Sequence, residues 1–339
     1  MQLSERQETV LRALVRAYVG EAVPVGSQTL SCTLPLQLSA ASIRNSMAEL
    51  TELGLIDQPL PSAGRVPTLS GLRLFVDDLL DAREVGEWER RLIEHELADA
   101  ARDVSLQVAS QLLGRRARQL GFAVLPRLDR VVLRHVSLVR LSRERVLVVL
   151  VSQLGVAYQR VLRDCDSGDQ PRLERLAAEL NRHAAGHTLP DLRGLLAQRA
   201  DALRARAGTL AVESLLVALD ALAAEAQPDV WIASRTALLE QPEFHDPERV
   251  RALLELLDTH ERLVAVVDRV LDAPGVAVTF GGEVGVPELR DCAVVSATCG
   301  AGESPCGVVG ILGPRRMDYA RVVPLVDLFS RLVTEKLSS

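Results

Sequence analysis

The apolar residues around position 45 recur at the spacing of a helix. Ile43, Met47 and Leu50 are four and three residues apart, which brings them to one side of a helix. Ser39 precedes this stretch and is a favoured N-cap residue, and Gly54 follows it at a favoured C-terminal position. The pattern therefore predicts an amphipathic helix between Ser39 and Gly54. Its buried side is expected to consist of Ala40, Ile43, Met47 and Leu50.

The opposite side of this predicted helix is small and polar, and it carries Ala41, Ser42, Arg44, Asn45 and Ala48. An arginine can bond the edge of guanine, and an asparagine the edge of adenine, each through two hydrogen bonds. The outward side of the helix is therefore a candidate surface for reading base pairs. A solvated surface helix is the alternative, because such helices also carry arginine and asparagine.

Two short extended runs follow the helix, at Leu55–Gln58 and Arg65–Thr68. Pro59, Pro61 and Gly64 lie between the runs and favour a change of chain direction. The pattern predicts a hairpin in which Gly64 adopts a positive φ.

Two further helices are predicted before this region. The first is Ser4–Val19, and its inner side carries Val10, Leu11, Leu14, Val15 and Tyr18. The second is the short segment Gln28–Thr33, which Ser27 opens. This order of three helices and a hairpin is that of a winged helix-turn-helix, which places its third helix in the major groove. The start of the second helix then faces the DNA backbone, so Ser27 and Gln28 are candidates for phosphate contacts.

The charge balance argues against strong non-specific attraction to DNA. The chain has a net charge of −6, and residues 1–80 contain six arginines against eight acidic residues, a net charge of −2. Affinity should therefore depend on where individual arginines lie and on two copies of the domain acting together.

Length and composition are those of a soluble globular protein. With 339 residues and 48% apolar content, the chain can form two or three domains. No stretch of about 18 residues is free of charge and no apolar leader follows the first residues, so neither a membrane span nor a signal peptide is expected. The five scattered cysteines are consistent with reduced thiols, and we expect a cytoplasmic protein.

Three runs near the N-terminus are PVGSQTL, LSAASIRNSMAELTELGLI and PSAGRVPTLSGLRLFVD. Together they resemble the DNA-binding domain of the HrcA family of heat-shock repressors. The resemblance continues in FGGEVGVPELRDCAVVSATCG and GPRRMDYARVVPLVDLFSRLVTEKL, so that it covers most of the chain. It implies a dimeric repressor that binds an inverted-repeat operator, CIRCE, before chaperone genes. It also implies that a GroEL-type chaperonin maintains the activity of the repressor.

The resemblance implies roles for nine residues. Those expected to contact base edges are Ser42, Arg44 and Asn45, those expected to contact the DNA backbone are Ser27, Gln28 and Ser39, and those expected in the wing are Ser62, Gly64 and Arg65. Arg65 would reach the backbone or the minor groove, and the alternative for it is an ion pair that stabilises the wing.

The chain departs from the family pattern at several of these positions. Ser42 and Ser46 stand where the family usually has threonine and aspartate. Gln28 stands where arginine is common, which removes one phosphate contact. Leu72 and Leu74 replace the usual aromatic residues after the wing. These differences bear on operator preference and affinity rather than on the class of protein.

Helical patterns continue after the hairpin. Thr68–Leu80 is predicted to be a helix, and its inward residues are Leu72, Phe75, Val76 and Leu79. The charged segment Asp81–Glu89 is expected to hold a domain boundary. Trp88–Leu120 is predicted to be a long helical region, whose apolar side carries Leu92, Leu97, Ala101, Val104 and Val108.

From Val131 onward the apolar period changes from that of a helix toward that of a strand. The predicted strands are Val131–Leu141, Arg145–Val151, Val156–Arg163, Val276–Phe280, Cys292–Ala297 and Val308–Leu312. The helical patterns between the two groups of strands are Pro171–His183, Asp191–Arg206, Thr209–Ala224 and Pro247–Leu257. Strands divided by helices agree with what the resemblance implies, a GAF-like sheet with an inserted dimerisation domain.

The predicted fold is therefore α+β with three parts. A winged helix-turn-helix domain occupies 1–86, a GAF-like α/β sheet domain with a helical linker occupies 87–165 and 247–339, and a mostly helical dimerisation insert occupies 166–246. Val217–Ala226 is nearly all alanine and leucine, so its own domain or a second copy of the chain must cover it. A homodimer suits an operator with two-fold symmetry.

Other chemistry is sparse in the sequence. His183 and His187 have the spacing of residues on one side of a helix, but no cysteine or acidic pair nearby completes a metal site. Cys299 and Cys306 have no histidine close in sequence, which disfavours a nucleophilic thiol. We therefore expect no enzymatic activity and no metal.

The glycine pairs of the last third also fail to predict a nucleotide site. Gly281–Gly282 and Gly300-x-Gly302 lack the strand, glycine-rich turn and helix of a dinucleotide-binding unit. No cofactor is expected. The alternative function is a metabolite-sensing transcription regulator that uses its GAF-like domain as a ligand pocket.

Overall fold

The computed structural model describes residues 3–34, 38–61, 63–101, 104–125, 131–153, 157–163, 169–198, 216, 230–244, 246–258, 275–300 and 307–338. Three helices and a hairpin come first in the chain. A five-stranded sheet packed between helices and a separate three-stranded sheet follow.

The N-terminal part begins with three helices, α1 (Glu5–Glu21), α2 (Ser27–Thr33) and α3 (Ala40–Glu52). Ser4 caps α1 as predicted, because its hydroxyl accepts a hydrogen bond from the Gln7 amide at 3.3 Å. The inner side of α1 packs against α2 and α3 through Val10, Leu11, Leu14 and Val15, all buried as predicted.

Both predicted ends of α3 are confirmed. The Ser39 hydroxyl accepts a hydrogen bond from the Ser42 amide at 3.1 Å. Gly54 has a φ of 71°, and the Leu55 amide bonds the Leu50 carbonyl at 3.0 Å, which completes a Schellman motif. Ile43, Met47 and Leu50 are buried, whereas Ala40 is exposed, which corrects its predicted place on the buried side. Ala40 is the first residue of the helix, where the inward side has not yet reached the core.

The hairpin is formed by strands β1 (Ile56–Asp57) and β2 (Val66–Pro67). Helix α4 (Leu69–Leu74) follows, and it continues as a π-helical turn over Phe75–Leu79. Its N-cap is Thr68, whose hydroxyl accepts from the Gly71 amide at 3.1 Å. The predicted helix Thr68–Leu80 is thus present, with Leu72, Phe75 and Leu79 buried and Val76 half-buried.

A helical pair connects this part to the sheet. Residues 81–86 have no regular structure, and they lead into α5 (Glu87–Ala98) and α6 (Ser105–Ala117). The prediction of one helical region over Trp88–Leu120 is wrong at two places. The helix ends at Ala98, so the predicted apolar side does not continue beyond it. Ala101 and Val104, which were expected on that side, are exposed. Leu120 begins a strand.

The larger sheet consists of β3 (Leu120–Val124), β7 (Val230–Ala233), β8 (Val276–Phe280), β9 (Cys292–Cys299) and β10 (Gly307–Pro314). Its order is β7-β3-β10-β9-β8, and every neighbouring pair is antiparallel. The three strands predicted in the last third of the chain are confirmed. Strands β3 and β7 were missed, because each is only four or five residues long and lies next to a helical pattern.

Alternate residues of this sheet face two different cores. Ala123, Val295 and Val309 face α6 and α12 (Tyr319–Ser338), in a cluster that is continuous with the core of α1–α4. Phe122, Val294 and Val308 face α10 (Pro247–Asp258). Two short helices also contact this sheet, α9 (Thr236–Leu239) at β3 and α11 (Gly281–Val284) at β8 and β9. Both faces of the sheet are thus covered by the chain's own helices.

A second sheet, β4 (Leu133–Ser142), β5 (Arg145–Ser152) and β6 (Ala157–Arg163), is antiparallel and separate from the first. Helices α7 (Gln170–Ala184) and α8 (Leu189–Gln198) cover one side of it and form a core of their own. The three strands are confirmed, but they do not join the strands of the last third in one sheet. The sequence pattern could not reveal this, because period-two alternation does not specify which strands pair.

The predicted limits of the three domains stay a prediction. Val217–Ala226, the apolar helix expected to need a cover, lies outside the described residues, as do Thr209–Ala224 apart from Leu216 and the end of Asp191–Arg206. None of the helices in the described part of the chain is long and apolar enough to cross a membrane.

Candidate nucleic-acid interface

The outward side of α3 has the exposure that its sequence predicts. Ala41, Arg44, Asn45 and Ala48 are exposed, and Ser42 is half-buried. Neither Arg44 nor Asn45 makes a side-chain hydrogen bond or ion pair with the described residues. The surface is therefore small, polar and unengaged at the positions where a recognition helix meets base edges.

Other arginines of residues 1–80 are engaged within the protein. Arg6 pairs with Glu49 at 3.4 Å, and Arg16 pairs with Asp81 at 3.1 Å. Arg73 pairs with Glu283. These pairs neutralise charge away from the outward side of α3, so that Arg44 contributes a local positive charge despite the net acidic balance.

Ser39 has two possible roles at the start of α3. Its hydroxyl oxygen accepts the hydrogen bond from the Ser42 amide that caps the helix. A hydroxyl can accept and donate at once, and the side chain is exposed. The Ser39 proton therefore stays available to a phosphate while the cap is in place.

Helix α2 begins one residue earlier than predicted. Ser27 is its first residue and Gly26 is its N-cap, without a side-chain bond to the helix amides. Ser27 is half-buried and Gln28 is exposed. Both lie at the end of α2 that a winged helix-turn-helix turns toward the DNA backbone.

Arg65 lies at the base of the wing rather than at its tip. Its amide and carbonyl bond Val25 at 2.8 Å each, which joins Val25 to the base of the hairpin through an isolated antiparallel bridge. Its Nε donates to the Thr51 hydroxyl at 3.3 Å. Arg65 was given two possible roles, a DNA contact or an ion pair that stabilises the wing. Its side chain does bond within the protein, but through a hydrogen bond to Thr51 on α3 instead of an ion pair.

Gly64 is needed for close approach and not for a positive φ, which corrects the prediction. Its φ is outside the left-handed region. A Cβ at Gly64 would lie 2.5 Å from the Val25 carbonyl oxygen and 2.7 Å from the Pro24 carbonyl carbon. Ser62, the remaining predicted wing residue, lies outside the described residues.

Sequence reasoning missed residues that shape this surface from behind. Gln58 closes the wing loop, since its Nε2 donates to the carbonyls of Pro61 at 2.8 Å and Ala63 at 3.0 Å. Gly71 allows α4 to approach the wing, because a Cβ there would lie 3.0 Å from the Leu55 carbonyl carbon and closer still to its oxygen. Gln58 could have been suspected as the polar residue before a Pro-x-Pro turn. Nothing in the local sequence marks Gly71.

The other candidate sites remain without support in the structure. The described residues contain no group of three or more histidine, cysteine or acidic side chains that could hold a metal. Cys299 is buried at one end of β9, and at the other end of the strand burial raises the pKa of the Cys292 thiol to about 12. Cys306 and the His183 side chain lie outside the described residues, and α7 ends at Ala184, so His187 does not share its helix with His183 as expected. Gly281–Gly282 belongs to α11 and follows a strand without a glycine-rich turn.

The first 80 residues form a three-helix unit with a wing, and the third helix presents an unengaged arginine and asparagine. This is the arrangement of winged helix-turn-helix DNA-binding proteins. Two family models match the chain. The first, described as the winged helix-turn-helix transcription repressor HrcA DNA-binding domain, matches residues 2–77. The second, described as the HrcA protein C terminal domain, matches residues 103–323.

Curated relatives match over nearly the whole chain. The heat-inducible transcription repressor HrcA of Geobacter sulfurreducens is 34% identical, with 99% of this chain and 98% of the relative covered. That of Xanthomonas axonopodis pv. citri is 35% identical, with 96% and 93% covered. A crystal structure described as that of a hypothetical protein shares the fold, with a TM-score of 0.62, 24% identity and 99% of both chains covered. The chain belongs to the HrcA family of heat-inducible transcription repressors.

Proposed function

We propose that the chain is a homodimeric repressor of chaperone genes that occupies an inverted-repeat operator of the CIRCE type. The outward side of α3 carries this proposal, because Arg44 and Asn45 are exposed there without a partner among the described residues. An arginine that folding has not engaged can bond a guanine edge through its two parallel N–H groups. Bound at a promoter, the dimer would block transcription by steric exclusion.

In this proposal three sets of residues form the operator-binding surface, and Gly64 shapes the wing without a contact of its own. The base-reading set is Ser42, Arg44 and Asn45, the backbone set is Ser27, Gln28 and Ser39, and the wing set is Ser62, Gly64 and Arg65. The order of α2, α3 and the hairpin supports the division, because it is that of proteins whose third helix enters the major groove.

Regulation by temperature follows from the small stability of folded proteins. A folded, dimeric fraction can change greatly when only a few kcal/mol separate it from inactive states. Heat would lower that fraction and release the operator. A GroEL-type chaperonin would return misfolded repressor to the active pool. A ligand pocket in the sheet domain, the alternative function, stays a prediction.

Footprinting of the full chain on its own chaperone promoters tests the proposed function. We expect protection of an inverted repeat whose halves are one or more helical turns apart, on the order of 34 Å per turn. Random duplex of equal length, compared at low and at physiological salt, is the control for phosphate attraction. Equal affinity for the inverted repeat and for random duplex at both salt concentrations would contradict the proposal.

Repeated heat challenge tests the regulatory part. Operator occupancy should fall after heating and recover further with GroEL-type chaperonin and ATP than without them. Full occupancy throughout the challenge, with or without chaperonin, would contradict regulation by heat but leave the operator proposal standing.

A further inference from the structure

The winged helix-turn-helix is attached to the rest of the protein by more than a linker. Its core and the α6–α12 side of the larger sheet form one contiguous cluster of buried apolar residues. Two arginines and one backbone hydrogen bond lie at the margin of this contact. Each of the three joins an element of the DNA-binding part to a different element of the sheet domain.

The first attachment is Arg73 on α4. Its Nε donates to Glu283 at 3.0 Å and its Nη2 to the second oxygen of the same carboxylate. Its Nη1 donates to the Val278 carbonyl at 2.9 Å. Strand β8 is an edge strand in the described sheet, and edge strands leave carbonyls without a strand partner. The Arg73 side chain therefore bonds a backbone carbonyl of β8 as well as the Glu283 carboxylate on α11.

An aromatic contact strengthens the same attachment. The guanidinium carbon of Arg73 lies 4.7 Å from the centre of the Phe280 ring, within the range of a cation–π interaction. Phe280 in turn meets Tyr319 edge to face, with ring centres 6.0 Å apart. Both aromatic residues are buried. The orientation of Arg73 is thus fixed by three chemically different partners, which one exposed ion pair could not achieve.

The second attachment is Arg316, which follows β10 and reaches the end of α1. Its Nη1 donates to the Val19 carbonyl at 3.1 Å, one of the last four carbonyls of that helix. Glu243 and Gln241 hold the rest of the guanidinium. Only 12% of the Arg316 side chain is exposed. Since α1 has no basic residue in its last turn, Arg316 supplies the charge that favours this helix end.

The third attachment is a backbone bond from the linker. Pro324 lies inside α12 and has no amide proton, so the Ala320 carbonyl lacks its usual helical donor. The Arg83 amide takes that place at 2.8 Å. The Arg83 side chain forms only an exposed ion pair with Asp318 at 3.6 Å. The backbone hydrogen bond is therefore the main contact that holds the linker against α12, with one exposed ion pair beside it.

Attachments at separate points restrict rotation, whereas one attachment would allow the domain to pivot. Arg73 bonds β8 and Arg316 follows β10, and these two strands are separated by β9 in the sheet. Strands two positions apart lie about 10 Å from each other. None of the three attachments involves the outward side of α3. The surface that meets DNA is thus independent of the contacts that orient it.

We propose that Arg73 and Arg316 are positioning residues for operator binding, which hold the winged helix-turn-helix in one orientation on the sheet domain. That orientation sets the half-site spacing that two copies of α3 can span, a point that rests on the proposed dimer. Reading of a single half-site does not depend on either arginine.

The test compares single half-sites with inverted repeats of several spacer lengths, taken from the footprinted operator and bound to the full chain. The variants are Arg73→Ala, Arg316→Ala and both together. We expect the affinity of each variant for a single half-site to stay within about two-fold of the affinity of the wild-type protein. The preference for the best spacer should fall by about tenfold, because a domain free to rotate spreads its effective concentration over many spacings.

Arg83→Ala is the matched control, since it removes an exposed ion pair between the same two parts and keeps the backbone bond. It should retain the spacing preference. Glu283→Gln, which keeps an acceptor for Arg73 and removes its charge, is the milder variant if an arginine variant fails to fold. An unchanged spacing preference in the double variant, or an equal loss on half-sites and inverted repeats, would overturn the proposal.

A spin-label distance measured within one chain tests the positioning role without depending on the proposed dimer. Spin labels are placed on exposed Cys32 and on Arg331→Cys, with Cys165 and Cys306 replaced by serine. Labelled chains are diluted with unlabelled ones so that only distances within a chain are recorded. The unchanged protein should show a narrow distribution and the double variant a broad one. A narrow distribution in both would overturn the positioning role of Arg73 and Arg316, even if the wild-type protein shows no spacing preference.

Discussion

Arg44 and Arg73 lie on neighbouring helices of one small domain, and their surroundings differ completely. Arg44 on α3 is exposed and has no partner among the described residues. Arg73 on α4 has Glu283, Asp77 and the Val278 carbonyl as partners and an aromatic ring beneath it. The same side chain is left for a ligand in one place and used for internal structure in the other.

The difference indicates that Arg73 contributes to the stability of the fold, whereas Arg44 is available to contribute to binding. Burial lowers the pKa of Arg73, but the hydrogen bond and charge of Glu283 outweigh that effect and leave the pKa above its usual value. Removal of Arg73 would leave the Glu283 carboxylate without its main partner. Removal of Arg44 would leave no internal group unpaired. A change at α4 should therefore affect folding, and one at α3 should affect DNA binding.

The largest expected effect tests how closely α4 is packed. Gly71→Ala should lower the free energy of unfolding by about 2–3 kcal/mol, because the new Cβ would collide with the Leu55 carbonyl. Urea unfolding of the full chain measures the change. Gly20→Ala is the control, since nothing lies within 4 Å of its Cβ and the residue is helical, so a gain of up to about 1 kcal/mol is expected. Equal effects at the two glycines would show that α4 is loosely packed.

The next effect compares the two arginines directly. Arg44→Ala should cost about 1–3 kcal/mol of discrimination between operator and random duplex, without a change in the unfolding midpoint. Arg73→Ala should lower the free energy of unfolding by about 1.5–3 kcal/mol, because it removes charged hydrogen bonds. Competition binding and thermal unfolding of both variants provide the comparison.

Arg44→Lys sharpens this comparison, because lysine keeps the charge and loses the two parallel donors. It should retain non-specific affinity and lose most of the discrimination. If Arg44→Ala weakened operator and random duplex by the same factor, Arg44 would be a phosphate contact and not a base-reading residue.

The two helices also differ in how much of them the sequence predicts. The span of α3, its cap Ser39, its end at Gly54 and its exposed side all follow from apolar spacing and cap chemistry. These signals are local, so one stretch of sequence contains them. The roles of Gly71 and Arg73 depend on Leu55, Val278 and Glu283. Partners so distant in sequence have no fixed spacing from which they could be predicted.

The same limit explains the errors in the sheets. Strands β4, β5 and β6 were predicted as strands but assigned to the wrong sheet, because alternation marks a half-buried strand and not its neighbours. Gly64 was predicted to need a positive φ, whereas its constraint comes from the backbone of Val25. The family resemblance supplied the function, which period and composition alone left open.

A smaller effect is expected at the start of α2, at the exposed residue Gln28. Gln28→Arg should strengthen binding to operator and random duplex by a similar factor, because an added cation near the backbone attracts any phosphate. The slope of log affinity against log salt should become steeper by about 0.9 if one phosphate is neutralised. Gln28→Ala is the control and should leave that slope unchanged. A gain confined to the operator would show that Gln28 lies near base edges instead.

The smallest effect concerns the buried side of α3. Ser46 is fully buried, and its hydroxyl has no hydrogen-bond partner among the described residues. An unpaired buried hydroxyl is unfavourable, so Ser46→Ala should leave the free energy of unfolding unchanged or raise it by up to about 1 kcal/mol. Ser39→Ala, the same substitution in the same helix, should lower it by about 1 kcal/mol through loss of the cap. Urea unfolding of both variants, with operator binding of Ser46→Ala alongside, measures these changes. A loss at Ser46 as large as that at Ser39 would mean that the hydroxyl is hydrogen-bonded in solution, and that the inward side of α3 contains a polar contact as well as its apolar core.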